Sequence, residues 1–305
     1  MTFLGGTSFG SSPAAISAGN ITFGTTNTHT VEIGGLVPGG EYDQVNADTL
    51  NLGGTLDVRF IDLDNGYVPA AGDSFSILTG DIAATFTAQT LPPLPEDLVW
   101  EVIYASDAVR LEIERIPDVE SVIINDGLST SRSQITSLTV NFAGAVNHWA
   151  LADAFTLTNI DTGIAVGAIA AVANDTGAKT SATLTFSGLS TTPRATGNTL
   201  DDGNYRLSIG ASAIKTPGGQ FAMATDFDFG SQTAGQTNND DFFRLFGDSD
   251  GDGDIDGQDY GRFGLTFLRP SSDAAYNSDL DYDGDGDVDS QDYGHFGQRL
   301  LTQRM

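Results

Sequence analysis

Cysteine is absent from the 305 residues, so neither a disulfide framework nor thiol chemistry is open to this chain. Basic residues are scarce. Thirteen Lys and Arg against 41 Asp and Glu leave a formal charge of −28. Such a balance repels phosphate backbones and anionic lipid and excludes nucleic acid as a partner. No stretch approaches the roughly 18 apolar residues a membrane-spanning helix needs. Met1-Thr2-Phe3-Leu4-Gly5-Gly6 has no basic n-region and no apolar h-region. The chain is therefore expected to be the C-terminal part of a longer secreted protein, or to lack its leader.

The residues of catalysis are thin as well. His29, His148 and His295 are too scattered to suggest a triad or a zinc site. All seven glutamates lie at or before Glu120. Those on strands alternate with core residues and are expected to face solvent, whereas a glycosidase needs two carboxylates facing across a cleft. No phosphate-cradling Gly-rich loop precedes a helix. The chain itself is read as non-enzymatic, with a catalytic domain upstream left open.

Aspartate is abundant, and it is patterned. One run spans Asp248-Ser249-Asp250-Gly251-Asp252-Gly253-Asp254-Ile255-Asp256-Gly257-Gln258-Asp259, the other Asp281-Tyr282-Asp283-Gly284-Asp285-Gly286-Asp287-Val288-Asp289-Ser290-Gln291-Asp292. Both place Asp at positions 1, 3, 5, 9 and 12, Gly at 6 and a β-branched residue at 8, the ligand spacing of an EF-hand-type calcium loop. Calcium takes six to eight hard oxygens at about 2.3–2.6 Å, which a loop coiling round the ion supplies from alternate side chains and the position-7 carbonyl. Two calcium ions are expected. The candidate ligands are Asp248, Asp250, Asp252, Asp254, Asp256 and Asp259, with Asp281, Asp283, Asp285, Asp287, Asp289 and Asp292. Ile255 and Val288 are expected to pair as a short strand between the two loops. Position 12 is aspartate where the general EF-hand has glutamate.

After each run comes Asp-Tyr-Gly-x-Phe-Gly, and Tyr260, Phe263 and Phe267 are answered 33 residues later by Tyr293, Phe296 and Leu300. These lie on one helical face. Gly261, Gly264, Gly294 and Gly297 each cost about 1 kcal/mol in a helix interior. Their repetition predicts that two helices approach closely there.

Two calcium loops, each followed by a helix and duplicated within about sixty residues, resemble a type I dockerin domain over roughly Asp241 to Leu301. The resemblance implies a calcium-folded module that docks onto a partner, in the best-known cases a cohesin domain of a polysaccharide-degrading assembly. It places partner recognition at loop positions 10 and 11 and on the following helix, here Gly257, Gln258, Ser290 and Gln291 with Leu265 and Gln298. The family's usual Ser-Thr type pair is missing at those positions, so the ligands match and a cellulosome-type cohesin partner is not implied as strongly. From Asp240 on, 16 Asp against 5 Arg leave −11 in this segment. Loops so charged need an ion to stop repelling, and millimolar calcium points to an extracellular or cell-surface bacterial location.

The rest of the chain reads as a mainly β, multidomain protein. Residues 1–20 are a Gly/Ser/Ala-rich leader without period. Residues 21–116 alternate as strands separated by turn residues. Tyr42-Asp43-Gln44-Val45-Asn46 followed by Leu50-Asn51-Leu52-Gly53-Gly54-Thr55-Leu56-Asp57-Val58 is similar to the closing segment of autotransporter-like passengers, implying a β-solenoid end; a β-sandwich is the alternative. Asp62–Gly66 is expected to be a hairpin turn, and Trp100 a core residue. Residues 117–229 carry short strands at the spacing of an Ig-like β-sandwich and resemble bacterial Ig-like modules. His148 is expected in a loop and Trp149 at a core edge. A flexible linker at 230–240 leads into the dockerin-like module, 241–305, whose core Phe242, Phe243, Leu245 and Phe246 are expected to cover; His295 is expected to be solvated.

The expected function is a non-catalytic, calcium-dependent docking end of a larger secreted or cell-surface bacterial protein, with the β domains as spacer and display units. One alternative is an accessory C-terminal part of a polysaccharide-degrading glycoside hydrolase assembly, meeting polysaccharide through the parent protein. Another is a structural surface protein whose calcium loops only rigidify the tail. On the docking reading, Asp248→Ala with Asp281→Ala unfolds the C-terminal module and leaves the β domains' melting unchanged.

Overall fold

A computed structural model describes residues 1–9, 13–230 and 242–304. The linker expected at 230–240 lies, Gly230 apart, outside them. The protein is mainly β. It divides into two compact units where three domains are expected: Met1–Ile116 with Thr216–Phe221, and Pro117–Lys215 with Ala222–Met305. No helix among the described residues is long and apolar enough to cross a membrane.

In the first unit the chain alternates between two sheets. The strands are β1 (Thr2–Phe3), β2 (Gly6–Thr7), β3 (Ala15–Ala18), β4 (Ile21–Phe23), β5 (Thr28–Ile33), β6 (Gln44–Asn51), β7 (Thr55–Phe60), β8 (Ser74–Ala83) and β9 (Ala88–Thr90), then β10 (Leu98–Tyr104) and β11 (Ala108–Arg115). One sheet runs β1-β4-β6-β8-β11-β10, with β3 also on β6; the other runs β2-β5-β7-β9. All pairs are parallel except β8–β11 and β10–β11. Parallel register stacks like on like, Ile21 beside Leu50 beside Ile82 and Val31 beside Val58. The buried column is the unit's core. Gly54 turns at φ +72, and a Cβ there would stand 2.1 Å from the Asn27 carbonyl, so only glycine allows the coils to approach so closely.

Three expectations fail in this unit. Residues 1–20 are no leader: β1, β2 and β3 lie in the two sheets. Their residues are small, and the neighbouring coil supplies the pairing that the local pattern does not announce. Asp62–Gly66 turns, with Asp64 at φ 58 and Gly66 at φ 72, but joins β7 and β8, which belong to different sheets, and is therefore not a hairpin. Glu101 and Glu114 do not face solvent. Glu101 is fully buried and accepts bonds from Thr216 Oγ1, the Gly218 N–H (2.7 Å) and the Gln220 N–H (3.1 Å). Burial, then the charges of Glu112 and Glu101, push the Glu114 carboxyl up to about 7. Trp100 is buried as expected, its Nε1 donating to the Pro92 carbonyl at 2.9 Å.

His29 is 1% exposed among the rings of Phe23, Phe9 and Phe86, whose centroids lie 4.7, 5.5 and 6.2 Å away. Burial lowers its pKa from 6.5 to about 4. A lowered histidine contributes stability in full above pH 6.5 and loses it as pH falls toward 4. The first unit is expected to lose roughly 3 kcal/mol over that interval. Denaturant melts at pH 7 and pH 4 should show a slope that His29→Phe flattens.

The second unit holds two antiparallel sheets. Its strands are β12 (Val119–Ile124), β13 (Ser137–Phe142), β14 (Phe155–Asn159), β15 (Ile164–Ala165), β16 (Ala168–Thr176), β17 (Lys179–Ser187), β18 (Thr191–Thr192), β19 (Thr199–Leu200), β20 (Gly203–Ile209), β21 (Phe227–Gly230) and β22 (Phe243–Arg244). One sheet is β12-β13-β17-β16; the other is β15-β14-β20-β21, with β22 also on β20. Inward residues of both, among them Leu138, Val140, Leu157, Leu184 and Leu207, share one core. Trp149, expected at a core edge, is 87% exposed.

The chain ends in α1 (Gly257–Thr266), β23 (Arg269–Pro270), β24 (Asp287–Val288) and α2 (Ser290–Gly297). Asp256 and Asp289 are the N-caps, and Asp259 and Asp292 close a capping box with each, so the aspartate runs themselves start the helices. The tail core gathers Phe243, Leu245, Phe246, Ile255, Phe263, Leu280, Val288 and Phe296. Phe242 packs in the sandwich core instead.

Candidate metal centre

Each aspartate run folds round its own first and last carboxylates. Asp248 is fully buried; its Oδ1 accepts the Gly251 N–H (2.6 Å) and its Oδ2 the Gly253 N–H (3.1 Å). Asp259, also buried, accepts the Ser249 N–H (2.8 Å) and the Asp256 N–H (3.0 Å). The second run repeats this 33 residues on. Asp281 accepts from Gly284 (2.6 Å) and Gly286 (3.1 Å), and Asp292 from Tyr282 (2.6 Å) and Asp289 (2.7 Å). Asp281 also accepts the Tyr276 hydroxyl at 2.7 Å.

The folding draws the remaining carboxylates together. Oxygens of Asp248, Asp250 and Asp259 lie within 4.8 Å of one another, as do those of Asp254, Asp256 and Asp259, of Asp281, Asp283 and Asp285, and of Asp287, Asp289 and Asp292. Of the twelve candidate ligands only Asp252 is in none of these groups. Asp250 Oδ1 and Asp254 Oδ1 are buried with no hydrogen-bond donor. A buried carboxylate oxygen without a donor is costly unless a cation satisfies it. Hard, anionic, closely grouped oxygens suit a hard divalent cation, and the residues present fit one in each loop.

The electrostatics agree. Burial pushes Asp248 up to about 6 against the pull of the Gly251 and Gly253 amides, with Asp259 and Asp252 adding repulsion. Asp292 is likewise raised to about 6, burial again first and Asp281 and Asp283 adding to it. Asp250, Asp254, Asp283 and Asp287 are raised by lost hydration and then by neighbouring aspartates. Without a bound cation, a carboxyl raised from 3.8 contributes stability below that pH and loses it as pH rises through about 6. In EGTA the tail is therefore expected to melt at a lower temperature at pH 7.5 than at pH 5. Asp248→Asn with Asp292→Asn should remove the difference.

Three details differ from expectation. Ile255 and Val288 do not pair with each other. Val288 pairs with Arg269, just after α1, and Ile255 bonds to Leu301 and Thr302, just after α2. Each loop is thus laced to the segment that follows the other loop's helix, an exchange that keeps the 33-residue symmetry. Gly261, Gly264, Gly294 and Gly297 are exposed, and an added Cβ would meet nothing within 4 Å, so they mark no close approach. The helices meet through aromatic rings, Phe263 and Phe296 at 4.6 Å between centroids. His295 is not solvated: its ring stacks on Tyr282 at 3.6 Å, and burial, then Arg299, lower its pKa. The aromatic spacing revealed the helix faces but not what the turn of each helix sets beside them.

Sequence reasoning also missed how the loops are seated. The Asp248 carbonyl accepts the Arg132 N–H at 2.9 Å. The Asp281 carbonyl accepts Arg194 Nη2 at 2.6 Å and Gln134 Nε2 at 3.2 Å, and the Asp283 carbonyl the Ala195 N–H at 2.8 Å. Asp202 accepts Arg244 Nη1 at 2.7 Å and Arg299 Nε at 2.5 Å. Segments of the sandwich therefore hold the outer backbone of both loops. The six residues expected to meet a partner, Gly257, Gln258, Leu265, Ser290, Gln291 and Gln298, are all exposed. Comparison with protein-family models gives no match, and comparison with curated proteins gives none either.

Proposed function

We propose that residues 241–305 are a calcium-dependent, non-catalytic attachment module of a secreted or cell-surface bacterial protein, each aspartate loop taking one calcium ion. The carrying observation is the set of buried, donor-less carboxylate oxygens inside closely grouped aspartates, repeated in the same register 33 residues apart. Calcium neutralises part of that charge, orders the loops, and with them the helices they cap. The exposed ends of α1 and α2, with Gly257, Gln258, Ser290 and Gln291, form the docking face for a cohesin-like or other surface domain. In this reading the module is dockerin-like. The parallel coils of β1–β9 support a β-solenoid end, and the two sheets of the second unit support an Ig-like sandwich as spacer.

Calorimetry of the full chain tests the ion. Two equivalents of calcium should bind with heat; absence of binding at millimolar calcium overturns the proposal. Replacing Gly257-Gln258 and Ser290-Gln291 should change partner affinity and leave calcium affinity unaltered; unchanged partner binding places recognition elsewhere.

A second reading rests on the bonds from Arg132, Gln134, Arg194 and Ala195 to the loop carbonyls. Here calcium braces the tail against the sandwich and no docking partner is needed. Envelope fractions probed with and without calcium separate the two, since a brace gives no calcium-dependent partner.

A further inference from the structure

The outer face of the β12-β13-β17-β16 sheet stands apart from the rest of this acidic surface. Strand alternation turns Leu138, Val140, Phe142, Ala182, Leu184 and Phe186 into the core, so their neighbours face outward. Register then lines up Ser121, Asn141, Ser181 and Asn174 across all four strands. The next row is Ile123, Thr139, Thr183 and Val172, and the next Ser137, Thr185 and Ala170. None of these rows carries a charge, on a chain of net charge −28. At one end the first row lines a groove of about 190 Å³, which the Lys179–Glu120 ion pair (2.8 Å) borders.

Trp149 belongs to a loop fastened to the same end of the sheet. His148 Nε2 lies 3.1 Å from Asp175 Oδ1, and the Val146 N–H donates to Thr180 Oγ1 at 3.0 Å. The Trp149 N–H donates to Asn147 Oδ1 at 2.8 Å, and Ala150 is held at φ 56. The indole is therefore held out to solvent, 87% exposed, by a loop with a fixed backbone.

We propose that this sheet face binds an uncharged polysaccharide, the Trp149 indole covering the apolar face of one pyranose ring and the Ser121-Asn141-Ser181-Asn174 row meeting its hydroxyls. The chemistry selects this occupant. Hydroxyl and amide side chains both donate and accept, which matches the mixed donors and acceptors of a sugar. A large flat ring with a polar edge binds well where one side is apolar and the other wet. Protein interfaces concentrate aromatics and arginine at their centre and are depleted in serine, the reverse of these rows. Anionic glycans and nucleic acid are repelled by the net charge. The face is separate from the aspartate loops and its binding needs no cation.

Native-gel affinity electrophoresis of the full chain, in gels containing hydroxyethylcellulose, xylan, galactomannan or anionic polygalacturonate, tests it. At least one neutral polymer should retard the protein. Trp149→Ala should weaken retardation by about tenfold or more, and Ser181→Ala or Asn141→Ala by several-fold, with the melting temperature of Trp149→Ala unchanged. Because Trp100 is buried, a fluorescence shift on adding the retarding polymer should come from Trp149 and vanish in Trp149→Ala. Retardation by none of the neutral polymers, by polygalacturonate alone, or equally in Trp149→Ala overturns the proposal.

Discussion

Asp248→Ala combined with Asp281→Ala is expected to abolish calcium-dependent stabilisation of the whole second unit while the first unit melts unchanged. The sequence alone suggests a narrower effect, confined to the tail. The backbone contacts widen it. Arg132, Ser133, Gln134, Arg194 and Ala195 of the sandwich bond directly to residues of the two loops or the segments leading into them. Loops that lose their order release those partners too. Each variant carboxylate also strands two amides, those of Gly251 and Gly253 or of Gly284 and Gly286. A buried group left unpaired costs about 1–3 kcal/mol. Where calcium is a hundredfold above its dissociation constant, the ion adds about 2.7 kcal/mol per site. Calorimetric melts with calcium and with EGTA should show the second unit's transition separated by the ion in the wild type and superposed in the variant. A sandwich that melts at its wild-type temperature in the variant refutes the coupling.

Asp202→Ala is expected to cost the second unit about 3–5 kcal/mol, the range for stripping one partner from a buried ion pair. Arg244 is 1% exposed, and its other bonds run to the Ser133 carbonyl (2.8 Å) and Gln134 Oε1 (3.4 Å), neither of which carries charge. Asp202 is its counterion and that of Arg299. Both guanidinium groups also lie over the rings of Phe246 and Tyr282, within 5.5–5.8 Å. Burial alone would raise the Asp202 carboxyl, but Arg244 and Arg299 outweigh it and hold it below its usual range. Its contribution is therefore complete above the ordinary carboxylate range and is lost only as pH falls through the depressed value. Urea unfolding at pH 7 measures the loss. Arg244→Met with Asp202→Leu, which removes both charges of that pair, should recover part of it.

How much of this was legible follows from how local each signal is. The aspartate loops are written in residues one to eleven positions apart, and the carboxylate groups form where that spacing puts them. Trp100 was legible because β10 alternates around it. Trp149 was not, since nothing adjacent in sequence shows that Asn147 and Ala150 turn it outward. Glu101 has the alternation of a solvent-facing residue. Its burial depends on Thr216, Gly218 and Gln220, more than a hundred positions away.

By itself the sequence determined a mainly β chain, two duplicated aspartate loops, and a helix after each, because hydrogen-bonding and apolar periodicity act within a few residues. Only the tertiary structure decided that each loop is laced to the segment after the other's helix, that the glycines of those helices face outward, and that the sandwich and the tail form one unit. Those outcomes rest on pairings such as Val288 with Arg269 and Asp202 with Arg244 and Arg299. A chain's local pattern states what a residue offers; which distant residue accepts the offer is fixed only when the backbone has closed the loop between them.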